Sequence, residues 1–265
     1  MAAVHPSQDT EERLRELRTA QARLRALIDN EPECVKLIDA EGRLLEMNAA
    51  GLRMIEADAG EQVLGKCVYG IVAPEHVEAF RDLTERVCRG ARGILEFELV
   101  GLKGTRRWME THAAPFRDEA SGETRLLAIT RDITDRRRAE QALRESEQRF
   151  QLFMDNLPAS AWIRDAQFRY TYANRLYAKT WGGLEPQALP GRSAAELFPP
   201  EVAQYFRDSD DKVREQGAPL QFVDTLPSGR WLKVKFPLPD GAVAGVALDI
   251  TDRTRLEEAL RESER

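Results

Sequence analysis

The sequence is poor in the residues that most site chemistry requires. It holds only three histidines and three cysteines in 265 residues. Cys34, Cys67 and Cys88 are odd in number and lack metal-ligand spacing. That excludes a zinc cluster and a disulfide framework, and predicts reduced thiols, no metal site and a cytoplasmic setting. No stretch approaches the ~20 apolar residues that a spanning helix needs, so no membrane segment is expected. Residues 1–10 lack the apolar core of a secretory signal. A basic surplus is missing too. The formal net charge of −6 argues against nucleic-acid binding, which needs cations to displace phosphate counterions. The run Arg136-Arg137-Arg138 is flanked by acidic residues and reads as a solvated helix face.

What is present is a repeat. A hydrophobic content of 42% and a length for two ordinary domains allow two separate cores. Asp29-Asn30-Glu31-Pro32 recurs as Asp155-Asn156-Leu157-Pro158, displaced by 126 residues, and the same shift takes Asp39 to Asp165, Asn48 to Asn174 and Gly65 to Gly191. Asp132-Ile133-Thr134 matches Asp249-Ile250-Thr251 at 117, so the second copy is shorter in its C-terminal half. The connection at residues 117–123 is the expected place of the loss. Residues 132–148 and 249–265 differ at only four of 17 positions, and the second stretch stops where a third domain would begin. A piece cut from a longer polypeptide is therefore expected, with a natural helical tail as the alternative.

Each copy opens with a short apolar run (35–38), a turn signal at Asp39-Ala40-Glu41-Gly42, and a second run (44–47). Helical text with glycine breaks follows over 48–87, then strand-like runs at 93–102, 106–115 and 125–133. This order predicts an α+β fold, a five-stranded antiparallel sheet with helices on one face, built twice. The expected boundaries are an N-terminal helix (1–25), a first domain (26–135), a helical linker (136–149), a second domain (150–252) and the start of an output helix (253–265). Leu14, Leu17, Gln21, Leu24 and Ile28 are spaced 3, 4, 3, 4, and Ala139, Leu143, Ser146, Phe150 and Phe153 are spaced 4, 3, 4, 3. Leu256, Leu260 and Ser263 begin a third such stripe. These narrow seams suit coiled-coil-type pairing in a parallel homodimer, kept adjustable by Gln21 and Ser146. The alternative is a single amphipathic helix packed on its own domain.

The ordered motifs resemble the PAS family across nearly the whole chain beyond the first ~25 residues. Residues 39–48 are similar to its opening hairpin, Gly65-Lys66 to its mid-domain loop, and Asp132-Ile133-Thr134-Asp135-Arg136 to its closing signature. In copy two, Trp162-Ile163-Arg164-Asp165, Tyr172-Ala173-Asn174, Gly191-Arg192 and Lys233-Val234-Lys235-Phe236-Pro237-Leu238 look like a related PAS subgroup. The resemblance implies a cupped sheet able to hold a small molecule, dimers through flanking helices, and an output domain such as a histidine kinase or diguanylate cyclase later in the same chain. A shared fold does not fix function, which resides in particular side chains.

Asp132 and Thr134, like Asp249 and Thr251, sit where the last strand hands over to a helix, and could accept first-turn amides while relaying strand distortion. Lys36 and Ile38 share one face of the first strand. If that face is concave, Lys36 could meet an anionic ligand; otherwise it pairs with a neighbouring carboxylate. Their counterparts are Trp162 and Arg164, so the two pockets should differ. His112 shares a strand face with Trp108 and Glu110, and either lines a pocket or faces solvent. Haem is not expected, because haem-binding relatives carry their histidine where this chain has Arg81, and copy two has no histidine. A photoactive flavin adduct is not expected either. Gly65-Lys66-Cys67-Val68-Tyr69 places its cysteine one position early, and copy two reads Gly191-Arg192-Ser193. Non-covalent flavin, a small organic ligand, or no ligand stay open. No catalytic residues are expected: none of His5, His76 and His112 lies in a linker helix, and a cyclase loop is missing. The competing non-enzymatic reading is a cofactor-free interaction scaffold with collapsed pockets.

Overall fold

The structure is a computed structural model that describes residues 8–226 and 228–263. Residues 1–7, with His5, and 264–265 of the expected terminal helices lie outside the described residues. The chain divides into two compact units, Met1–Ala142 and Leu143–Arg265.

In the first unit helix α1 (Gln8–Asp29) runs past the expected boundary at residue 25. Strands β1 (Cys34–Ile38) and β2 (Leu44–Met47) form the opening hairpin. Asp39 fixes its turn, its Oδ1 accepting from the amides of Glu41 and Arg43 at 3.1 and 2.7 Å. Gly42 follows at φ +82, and a Cβ there would fall 2.6 Å from the Tyr69 ring. Helices α2 (Ala49–Met54) and α3 (Val77–Cys88) are separated by short 3₁₀ turns. Strands β3 (Gly93–Val100), β4 (Arg106–Arg117) and β5 (Thr124–Asp132) complete an antiparallel sheet in the order β2-β1-β5-β4-β3. The glycine-broken text thus gives two α-helices and 3₁₀ turns.

Helix α4 (Thr134–Asp155) leads to the second unit's β6 (Ser160–Arg164), β7 (Tyr170–Ala173), α5 (Arg175–Tyr177), α6 (Ala194–Leu197) and α7 (Pro200–Gln216). Strands β8 (Leu220–Leu226), β9 (Gly229–Pro237) and β10 (Val243–Asp249) follow, then α8 (Thr251–Ser263). The sheet order β7-β6-β10-β9-β8 repeats that of the first unit. Asp165 holds its hairpin turn as Asp39 does, but Phe168 stands at φ +60 where copy one has Gly42. A bulky residue in that region is uncommon, and the guanidinium groups of Arg207 and Arg214 pack on its ring.

The length difference between copies is spread over two hairpins. At β4 and β9 the equivalent positions Trp108 and Arg230 are already displaced by 122 residues, as their matching bonds show. Copy two is therefore shorter at its β8–β9 turn, the counterpart of β3–β4, as well as at its β9–β10 turn.

Each core lies between the concave sheet face and its helices. In unit one α3 packs on β3, β4 and β5, with Phe80 edge-on to Phe97 at 4.8 Å. In unit two α7 packs on β9 and β10 around Phe206, Trp162 and Tyr177. Helices α4 and α8 bury no residue. Leu143, Phe153, Leu256 and Leu260 are all more than 60% exposed.

Candidate functional site

Alternation along β4 decides what faces the pocket of copy one. Met109, Thr111 and Ala113 are buried, whereas His112 is exposed and bonds to Glu110 at 3.3 Å. His112 therefore lies outside the cup. His76 stands against Trp108 on that same outer side, ring to ring at 5.2 Å. Cys67 is exposed, while Cys34 is buried beside the cavity.

Lys36 points inward. It is 6% exposed, and its Nζ donates to Thr130 Oγ1 at 2.6 Å, which shares a hydrogen bond with Thr111 Oγ1 at 2.8 Å. The rings of Phe80 and Phe97 lie 5.8 and 5.9 Å from the ammonium. Among the described residues no carboxylate forms an ion pair with Lys36, which overturns the expected alternative of a neighbouring acid. Burial pushes its pKa down, and Cys34 opposes this. Lys36, Cys34 and Thr130 line a cavity of about 20 Å³ with Met47, Met54 and Met109, among others. This is room for about one water. Ile38 is fully buried in the core but does not line that cavity.

Copy two is built differently on the same frame. Arg164 is 1% exposed and donates through Nη2 to Asp210 Oδ1 at 3.0 Å. Lys235 donates to the same oxygen at 2.8 Å and to Ser209 Oγ at 2.5 Å. A second buried lysine, Lys233, pairs with Asp224 at 2.5 Å and lies over the Trp181 ring. Trp162 covers Gly245 so closely that a Cβ there would sit 2.3 Å from the indole. Its Nε1, like Trp181 Nε1, is buried without a hydrogen-bond partner among the described residues. Trp162 and Arg164 are thus brought together on one concave face with Lys233 and Lys235, two cations for which inward burial was not expected.

Burial pushes Lys235 down to about 8; Asp210 opposes this, and Arg164 and Lys233 add to it. The unfolded chain holds that proton to an ordinary lysine value, so between about pH 8 and 10.5 the unfolded state binds more protons. Stability should rise with pH across that window. The expected result is that the unfolding free energy of the wild type, minus that of Lys235→Met, grows from pH 8 to pH 10. A flat or falling difference in urea titrations would refute the shift.

The exits of both copies are stapled alike. Asp132 Oδ1 accepts from the Thr134 amide at 2.9 Å, and Thr134 Oγ1 accepts from the Trp108 amide on β4 at 2.9 Å. In copy two Asp249 and Thr251 do the same, with the Arg230 amide on β9 at 2.8 Å. Asp132 and Asp249 thus accept the first amide of the outgoing helix, while the threonine hydroxyls tie that helix to the adjacent strand. Arg107 pairs with Asp132 at 3.2 Å, and Arg136 and Arg137 join α4 to Glu96 on β3. The incoming helices are held by one buried asparagine in each copy. Asn48 Nδ2 donates to the Ile28 and Glu33 carbonyls at 3.0 and 2.9 Å, while its Oδ1 accepts from Val35 and Gly51. Asn174 repeats this set. Its recurrence at the 126-residue shift was the available signal.

The chain matches the PAS fold family over residues 28–138 and 154–258. It is 27% identical over 226 residues to the two-component sensor PprA of Pseudomonas aeruginosa, covering 83% of this chain and 23% of that protein. It is 22% identical over 250 residues to sporulation kinase A of Bacillus subtilis, covering 90% of this chain and 40% of that protein. The chain spans less than half the length of these curated relatives. Among solved structures, the PAS domain of an HTR-like protein from Haloarcula marismortui is 28% identical, with a TM-score of 0.40 over 46% of this chain and 99% of that one. No helix among the described residues is long and apolar enough to cross a membrane. Two matched stretches, each with its own five-stranded sheet and concave core, make this chain a member of the PAS family in two tandem copies.

Proposed function

We propose that the chain is a signal-sensing input and relay module that couples binding in its concave pockets to an output domain later in the same polypeptide, a kinase or cyclase. The observation that carries this reading is the exit staple, built twice from the same Asp and Thr positions. A change in sheet curvature moves the β4 or β9 amide to which the outgoing helix is bonded, so two sheet states become two helix positions. The relatives named as a two-component sensor and a sporulation kinase support this direction. Copy two, whose buried cations are paired with Asp210 and Asp224, suits a relay better than a receptor.

The exposed heptad seams of α1, α4 and α8 suit a parallel homodimer, a second copy covering each stripe. Leu17→Cys and Leu143→Cys are expected to form disulfide-linked dimers under mild oxidation. Thr134→Val, which leaves the Trp108 amide without its acceptor, should cost about 1 kcal/mol and change the crosslinking yield at Leu143→Cys. If neither cysteine variant gives a dimer under any condition, the coupled-dimer reading fails. An absorption spectrum with native mass spectrometry of the purified chain separates a cofactor sensor from a cofactor-free scaffold.

A further inference from the structure

The two concave faces differ in where their buried positive charge finds its counter-ion. In copy two Asp210, on the inward face of α7, receives both Arg164 and Lys235. The 126-residue shift that relates Phe80 to Phe206 and Val87 to Val213, buried at the same places on α3 and α7, relates Thr84 to Asp210. Copy one thus carries a threonine where copy two carries the carboxylate. That threonine is already committed, its Oγ1 donating to the Phe80 carbonyl of its own helix at 2.9 Å.

Lys36 has one hydroxyl acceptor, two aromatic rings and a cavity beside it. An ammonium has three donors, and burying it without an anion is among the costlier things a fold can do. A protein that needed only packing here would have an apolar residue at this place, and Met47, Met54 and Met109 around it show that such residues suit the site. The remainder of the lining is apolar apart from Cys34 and Thr130. The chemistry called for is therefore one negative charge on an apolar body.

We propose that copy one binds a short-chain monocarboxylate, its head group on Lys36 and Thr130 and its tail among Met47, Met54, Phe80, Phe97 and Met109. The ligand's carboxylate supplies from outside the charge that Asp210 supplies from within copy two. The cavity of about 20 Å³ admits little beyond a water-sized group, so the tail enters by repacking the three methionines. Their unbranched, polarizable side chains change rotamer at low cost. Thr130, bonded to Thr111, lies at the junction of β5 and β4, and β5 ends at the Asp132 of the exit staple. Occupancy is thereby linked to the strand pair that holds α4. This inference rests on the sensory reading above and names the ligand class of its first pocket.

The test is a thermal-shift and calorimetric titration of the whole chain with sodium acetate, butyrate and hexanoate. The matched alcohols and sodium chloride at equal ionic strength serve as controls. The carboxylates are expected to raise the Tm, hexanoate most, and to bind at least about tenfold more tightly than the alcohols. In Lys36→Met the carboxylate affinity should fall by about tenfold or more, while the unliganded Tm rises because a buried charge is gone. Both proteins are followed by the same unfolding transition, so a folding defect in the variant shows itself directly. The proposal is overturned if no carboxylate shifts the wild type, if alcohols bind equally well, or if Lys36→Met binds as the wild type does. These outcomes leave the sensory reading standing, because its crosslinking test at Leu17 and Leu143 needs no carboxylate.

Discussion

Asp210→Ala is expected to destabilise copy two by about 3–5 kcal/mol, enough to unfold that unit in part at 37 °C. Asp210 is fully buried and is bonded to both Arg164 and Lys235, themselves about 1% exposed. Taking away Asp210 leaves two like charges facing each other, with Ser209 and aromatic rings beside them. Much of the loss is the cost of burying unpaired charge, not the worth of the pair itself. It follows that removing the cations as well should restore most of the stability. The triple variant Asp210→Leu, Arg164→Met, Lys235→Met is expected to recover to within about 1–2 kcal/mol of the wild type, or to exceed it. Urea denaturation followed by tryptophan emission suits this, since Trp162 lies beside the cluster. A single Asp210→Ala loss below about 1 kcal/mol would mean that water reaches the site and screens it.

Asn174→Ala should cost nearly as much, about 3–4 kcal/mol, without touching any charge. The side chain is fully buried and uses all its hydrogen-bonding capacity. Its Oδ1 accepts from the Ala161 and Tyr177 amides at 3.0 and 2.9 Å, and its Nδ2 donates to the Met154 and Ala159 carbonyls at 2.9 and 2.8 Å. Alanine leaves these backbone groups unsatisfied at about 1–3 kcal/mol each, less whatever water can enter. The effect is also local in a telling way. Met154 belongs to the last turn of α4, so hydrogen exchange at the C-terminal end of α4 should accelerate by more than the global loss explains. Uniform acceleration across the whole unit would show that Asn174 stabilises the fold without anchoring the incoming helix. Asn48→Ala should repeat the pattern at the end of α1, where the Ile28 carbonyl loses its donor.

The sequence by itself determined the parts that depend on local backbone chemistry. Aspartates at 39 and 165 mark hairpin turns because a short carboxylate can bond the amides two and four positions on. Their recurrence at a fixed shift was enough to lay out two copies of one strand order. The Asp-Ile-Thr exits were legible for the same reason, although the partner of each threonine hydroxyl was not. That partner lies on β4 or β9, more than 20 residues away in the chain, and only strand pairing brings it there.

The tertiary structure alone decided what each concave face contains. Strand alternation puts His112 and Thr111 on opposite faces, but it does not say which face is covered. The helix α3 does, and it leaves His112 in water and Lys36 inside. A charge in a strand ordinarily marks the wet side, so Lys233 and Lys235 gave no hint of burial. Lys235 is inside because α7 lays Asp210 across the sheet, 46 residues from Arg164, and Lys233 because Asp224 on β8 faces it; no local pattern encodes a carboxylate meeting a cation at such a distance. The same packing explains why copy one lacks such a partner. With Thr84 at the equivalent helix position, no acid among the described residues pairs with the positive charge of its pocket.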